Sequence, residues 1–233
     1  MTLAEMEHQL DRLVGSIPAS QIKRVFLTGC GGGIANLRQC EYVLNQHLEE
    51  GQVSSAFCAN LMVEKQRRVD EHALVIVGSF NGTMKEAVDA MRWAKERGAY
   101  VIGVTYVPGT PIATESDFPF LCDTLEALEP ALSPMSAGVL LAYAIIKAMT
   151  GRDQLAQAWQ ALLSLRSICE QAVRLYDETK GHEFVARFHK SPMIYTVGGG
   201  LNYTNAYILA TCYLTEMQWI NACPVEASEF FHG

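Results

Sequence analysis

Apolar residues recur at helical spacing from the start of the chain. Leu3, Met6, Leu10, Leu13 and Val14 share one face and predict an amphipathic helix over about 3–15. The pattern then changes. "RVFLTGCGGG" is a short β-rich run broken by glycines, and "ANLRQCEYVLNQHLEEG" behind it carries a helix pattern closed by Gly51. The same order returns in "ALVIVGSFNGTMKEAVDAMRWAKERG", which predicts a buried strand at about 73–78, a glycine-bearing turn and a helix ending at Gly98. A further strand at about 100–106 runs into the Pro/Gly loop "VPGTPIATESD", and "FPFLCDT" reads as one more short strand.

Strands that are continuous apolar runs are covered on both faces, and their alternation with helices predicts a parallel sheet between two helix layers. The expected fold class is therefore α/β, a doubly wound parallel sheet flanked by helices. "SAGVLLAYAIIKAMTG", apolar nearly all round, predicts a buried helix, and a long helical stretch follows over about 152–179. The polar "ETKGHEFVARFHKSP" is the candidate linker. Beyond it, "MIYTVGGGLNYTNAYILATCYLTEMQW" restates the opening: placing Gly29 over Gly198 superposes "FLTGCGGG" on "YTVGGGLN". The expected organisation is a first domain over 1–180, a linker at 181–191, and over 192–233 the first strand, turn and helix of a second similar unit. That second sheet is expected to have a single strand with unpaired edges, as in a truncated piece of a longer protein.

Composition narrows the function. The chain has 233 residues, is 49% hydrophobic and has a net charge of −7, as expected of a globular protein with a sizeable core and no general field for polyanions. Nucleic acid and membrane partners are therefore not expected, since no apolar run reaches the length of a membrane span. A small anion is compatible with this charge, because backbone amides can hold one phosphate unaided. Seven cysteines form no Cys-x-x-Cys pair and have no histidine at metal-ligand spacing, which predicts reduced thiols, no metal and a cytoplasmic protein. The first residues lack the basic start and apolar core of a signal peptide.

Glycines directly after a parallel strand put free amides at a helix start, where an anion is favoured; the alternative is a tight turn that holds nothing. Gly29 and Gly31 fit the first part of a dinucleotide fingerprint, but Ile34 stands where its third glycine belongs, so a dinucleotide cofactor is not expected. "GSFNGT" surrounds a second strand end with Ser79, Asn81 and Thr83, with Gly82 between them. Two such turns on neighbouring strands make a crevice, and "VPGTPIATESD" is placed to form its wall.

Near the end of the chain Glu216 lies in "YILATCYLTEMQWI". On an α-helix Leu209, Cys212, Tyr213 and Ile220 would share its side. A carboxylate in that face is desolvated unless paired. It is either a general base for a proton on carbon or a structural acid that caps an amide or pairs across an interface. His232, in "SEFFHG", stands sixteen positions later.

The turns "GCGGG" and "GSFNG", the loop "VPGTPIATESD" and above all "EMQWINACPVEASEFFHG" resemble the sugar isomerase (SIS) domain proteins. The likeness is to the phosphosugar deglycases acting on fructosamine 6-phosphates, relatives of the isomerase half of glucosamine-fructose-6-phosphate aminotransferase. The resemblance covers nearly the whole chain, and the closing motif is its specific part. It implies that Glu216 moves the proton between C1 and C2 of the open-chain sugar and that His232, contributed across a subunit interface, assists ring opening and proton transfer. It places the phosphate at Cys30, Gly31, Gly32 and Gly33 of the first turn and at Ser79, Asn81, Gly82 and Thr83 of the second. The implied protein is a cofactor-free enzyme, a homodimer or higher homo-oligomer, that releases glucose 6-phosphate and an amine. An aldose-ketose phosphosugar isomerase and a non-catalytic sugar-phosphate-binding regulatory module are the alternatives. The chain departs from the family pattern at Gly33, where a serine is common, and at Met84, where a threonine usually contacts phosphate.

Overall fold

The computed structural model describes residues 1–56, 58–124, 129–176 and 178–232. The chain divides into two compact units, Met1–Trp159 and Gln160–Gly233.

The first unit opens with α1, Leu3–Ser16, set by a capping box: Thr2 Oγ1 accepts from the Glu5 amide, and the Glu5 carboxylate accepts from the Thr2 amide. Met6, Leu10 and Leu13, the stripe read from the sequence, are its buried residues. The strands are β1 (Arg24–Gly29), β2 (Val53–Ala56), β3 (Ala73–Gly78), β4 (Tyr100–Thr105) and β5 (Phe118–Leu121). They form one parallel sheet in the order β2-β1-β3-β4-β5. β3 is buried at every position, as its unbroken apolar run requires.

Helices α2 (Gly32–His47), α3 (Ala59–Lys65), α4 (Lys85–Glu96), α5 (Pro111–Glu115), α6 (Pro134–Thr150) and α7 (Leu155–Leu163) follow in chain order. α6 packs on α1 and α2, and α3 packs on α4. Under α3 and α4, Phe26, Met62, Val75, Val77, Met91 and Val101 form one buried cluster. Each such side chain contributes roughly 1.5–3 kcal/mol by leaving water.

Two elements of this unit were not anticipated. β2 reads VSSA and α3 is seven residues long. β2 lies at the sheet edge, where half-buried serines suffice, so it lacks the apolar run that marked β1 and β3. α2 also stops at His47, ahead of the expected Gly51.

The second unit corrects several expectations. The helical stretch expected over 152–179 is divided into α7 and α8 (Leu165–Leu175), and Asp177 lies outside the described residues. The stretch expected as a linker at 181–191 is mostly helix, α9 (Glu178–Phe188), because its polar composition also suits an exposed helix. The division between units falls at Trp159 rather than near residue 180. After β6 (Ile194–Gly198) and α10 (Leu201–Ile208) comes a π-helical segment, Leu209–Met217, and then β7 (Ala222–Glu226), which pairs with β6 in parallel. Among the described residues the second sheet thus has two strands and not one. Pro224 within the short ACPVE stretch hid the second from an apolar-run reading.

Among the described residues no helix is long and apolar enough to cross a membrane, and no group of three or more His, Cys, Asp or Glu could hold a metal ion.

Candidate functional site

In the order β2-β1-β3-β4-β5, consecutive connections leave β1 and β3 in opposite directions, and a parallel sheet opens a crevice beyond the carboxyl ends of such strands. Gly29 and Gly78 face each other at those ends. A Cβ on Gly29 would stand 2.6 Å from Gly78 O and one on Gly33 2.5 Å from it, so bare backbone at all three positions lets the two turns touch. Gly33 is required by this contact, which explains why a larger residue is absent there.

Gly31 caps the start of α2 at φ 52° and ψ −125°, a conformation that essentially only glycine holds. In the second turn Gly82, at φ 67°, is enclosed: a Cβ would fall 2.0 Å from Thr110 Oγ1. The Gly82 amide donates to Ser79 O at 2.9 Å, and Thr105 Oγ1 donates to Phe80 O at 2.8 Å. The Phe80 ring stacks on Tyr106, centroids 4.5 Å apart and 4° from parallel. β4 and the loop after it therefore brace the second turn.

These constraints leave a cavity of about 340 Å³ lined by Cys30, Gly32, Gly33, Ser79, Phe80, Asn81, Thr83 and Met84. Six of the eight ligand-binding residues expected from the sequence meet here; Gly31 and Gly82 shape the turns without lining the cavity. The Pro/Gly loop expected as a wall contributes no lining residue and acts as the brace. Phe80 was not read as a site residue, since an aromatic among polar turn residues carries no spacing signal. None of the lining side chains bears a formal charge at neutral pH. Burial pushes the Cys30 thiol above its ordinary value, so it stays neutral, and polar contacts come from Ser79, Asn81, Thr83 and backbone amides.

The second unit carries Glu216 and His232, and both are exposed. Against expectation, Glu216 is not desolvated in this chain: Leu209 and Tyr213, which share its side on α-helical spacing, are themselves exposed, and the segment that holds all three is π-helical. Directly after this segment Trp219 adopts φ 56° and is 90% exposed. A bulky residue is rare in that conformation. The Ile220 amide donates to Leu214 O at 2.8 Å and fixes the loop.

Comparison with known proteins places this arrangement. Over 233 aligned residues the chain is 28% identical to fructosamine deglycase FrlB of Bacillus subtilis (strain 168), covering 99% of this chain and 70% of that protein. Over 231 residues it is 25% identical to fructoselysine 6-phosphate deglycase of Escherichia coli (strain K12), covering 95% of this chain and 64% of that one. A Bacillus subtilis crystal structure described as a phosphosugar isomerase superposes with a TM-score of 0.88 at 27% identity, covering 97% of this chain and 69% of that chain. The C-terminal domain of glucosamine-fructose-6-phosphate aminotransferase from Francisella tularensis gives 0.75 at 18% identity, with 99% and 71% covered, and shows the shared fold. The SIS domain family model matches residues 20–150, more than half the chain and all of the sheet just described. The chain belongs to the SIS domain family.

Proposed function

We propose that the chain acts in a phosphosugar deglycase, with the cavity at the β1 and β3 turns holding the phosphate of a fructosamine 6-phosphate. The observation that carries this reading is the cavity itself: two glycine-bearing turns at a topological switch point, with hydroxyl and amide side chains and no acid among the lining groups. The names of the deglycase relatives support the substrate class.

In the proposed reaction Glu216 takes a proton from C1 of the open-chain ketosamine while the C2 oxygen is protonated, giving an enaminol. Return of the proton at C2 leaves an imine at C1. Water adds to that imine and the C–N bond breaks, releasing the amine and glucose 6-phosphate. His232 assists ring opening and the proton transfers at oxygen and nitrogen. A cytoplasmic homo-oligomer belongs to the same reading.

One observation favours a second reading, a sugar-phosphate-binding module without turnover: the Glu216 carboxylate is exposed rather than held in an apolar environment. Incubation with fructosamine 6-phosphates, assayed for glucose 6-phosphate and free amine, separates the two. The deglycase reading predicts both products in equal amounts. Binding of glucose 6-phosphate with no product from any amine tested would establish the module.

A further inference from the structure

A single shift of numbering carries the first strand, turn, helix and strand onto those of the second unit. It takes Gly29 to Gly198, Gly31 to Gly200 and Val53 to Ala222 without insertion or deletion. Register is preserved, since Val25 faces Val53 across β1 and β2 as Ile194 faces Ala222 across β6 and β7. The backbone agrees as well: Gly31 stands at φ 52°, ψ −125° and Gly200 at φ 57°, ψ −130°, each capping the helix that follows. The two turns are one device built twice.

The turns themselves differ at Cys30 against Gly199, Gly32 against Leu201 and Gly33 against Asn202, and a further difference places an acid beside the second. The shift takes Phe57 in the first unit to Glu226 in the second. Glu226 ends β7 opposite Gly198, and its carboxylate turns onto the glycine cluster. Glu226 Oε2 accepts from the Ser228 amide at 2.6 Å and from the Ser228 hydroxyl, while Oε1 lies 3.3 Å from where a Cβ on Gly199 would stand. The Ser228 hydroxyl and amide, and after them the Gly200 and Ala227 amides, hold this carboxyl below its ordinary value.

We propose that Glu226 is a built-in anion that occupies the second glycine turn, so that of the two equivalent turns only the one at Gly31 is open to an anionic ligand. The physical basis is the same at both. Amides at a helix start favour one negative charge, and a carboxylate tethered two residues from its partners outcompetes a dissolved anion through its high local concentration. The lining of the cavity at the first turn contains no acid, which leaves that role to a ligand. This inference rests on the reading of the first turn as the phosphate site, and it explains how a chain with two such turns takes up one phosphosugar.

The test is an amide-resolved NMR titration of the full chain with inorganic phosphate. In the wild type the Gly31 amide is expected to shift and saturate while the Gly200 amide stays in place. In Glu226→Gln, which keeps the shape and removes the charge, both amides are expected to shift, and calorimetry should count two phosphates per chain in place of one. A phosphate-dependent shift of Gly200 in the wild type, or its absence in folded Glu226→Gln, overturns the proposal. Should that variant not fold, the wild-type comparison decides alone, since an open second turn would respond there. A silent Gly31 amide would count against the phosphate site in the first unit, a result distinct from either outcome at Gly200.

Discussion

Gly33 and Gly78 meet through backbone alone: a Cβ on Gly33 would stand 2.5 Å from Gly78 O, and one on Gly78 would stand 2.6 Å from Gly33 O. The cavity at the sheet switch point exists because these two turns can approach so closely. Gly33→Ser, which brings in the residue common in the family pattern, is therefore expected to push the turns apart. The expected loss of stability is about 1–3 kcal/mol, as for other overpacked sites. Urea unfolding measures it, and an unchanged midpoint would show that the β1 and β3 turns are not in this contact.

Gly31 tests conformation without crowding. Nothing lies within 4 Å of a Cβ built there, yet φ 52° combined with ψ −125° is a conformation that essentially only glycine holds. Gly31→Ala should destabilise by about 1–3 kcal/mol through backbone strain alone and weaken phosphate binding, since the first amides of α2 would be re-aimed. Gly51, also open and at positive φ but remote from the cavity lining, is the control: Gly51→Ala should affect stability and leave phosphate affinity unchanged.

Glu226 makes an acid-sensitive contribution to stability. Its carboxyl is held below the ordinary value of 4.5, chiefly by the Ser228 hydroxyl and amide. A depressed native value means that the unfolded chain binds the proton more readily. The stabilisation is present above the ordinary value and is lost as pH falls through the native one. Urea midpoints measured between about pH 6 and pH 3 should fall more steeply for the wild type than for Glu226→Gln, which has no carboxyl to protonate. Parallel curves would contradict the assignment.

Trp219 stands at φ 56° with its side chain in solvent, so its replacement removes little packing. Trp219→Gly relieves the strain while loosening the unfolded chain. The expected net effect is neutral to about 1 kcal/mol stabilising, in contrast to the loss usual for a tryptophan. Thermal unfolding checks this, and a large loss of stability would show that the ring is packed.

The sheet was legible because β1, β3 and β4 are continuous apolar runs, each ended by a turn signal, and the observed β3, Ala73–Gly78, lies where its run predicted. β2 and β7 were missed for a shared reason: both are short, and neither is buried on both faces, so neither reads as an apolar run. Six of the cavity's lining residues were legible, because glycines and small polar side chains directly after neighbouring parallel strands stand where such a crevice opens. Phe80, Glu226 and the surroundings of Glu216 were not. Phe80 depends on its stacking with Tyr106, Glu226 on a strand whose existence was not foreseen, and the exposure of Glu216 on an apolar face whose Leu209 and Tyr213 are themselves exposed. The repeat of the first turn in the second was visible in the glycines themselves, and their matching backbone angles give it a physical form.

Glu216→Gln separates the two readings of the function. Removing the base while keeping the shape should reduce turnover about 10²–10⁴-fold with phosphosugar affinity nearly unchanged. Equal losses in binding and turnover would place Glu216 in ligand binding instead.

The most direct measurement of the proposed chemistry is turnover of a fructosamine 6-phosphate in deuterated water, with mass and NMR analysis of the glucose 6-phosphate released. Proton movement between C1 and C2 through an exposed carboxylate predicts solvent deuterium at C2 of the product. Glucose 6-phosphate formed without deuterium at C2 would contradict proton transfer by exchange with solvent, and no glucose 6-phosphate at all would contradict the deglycase reading.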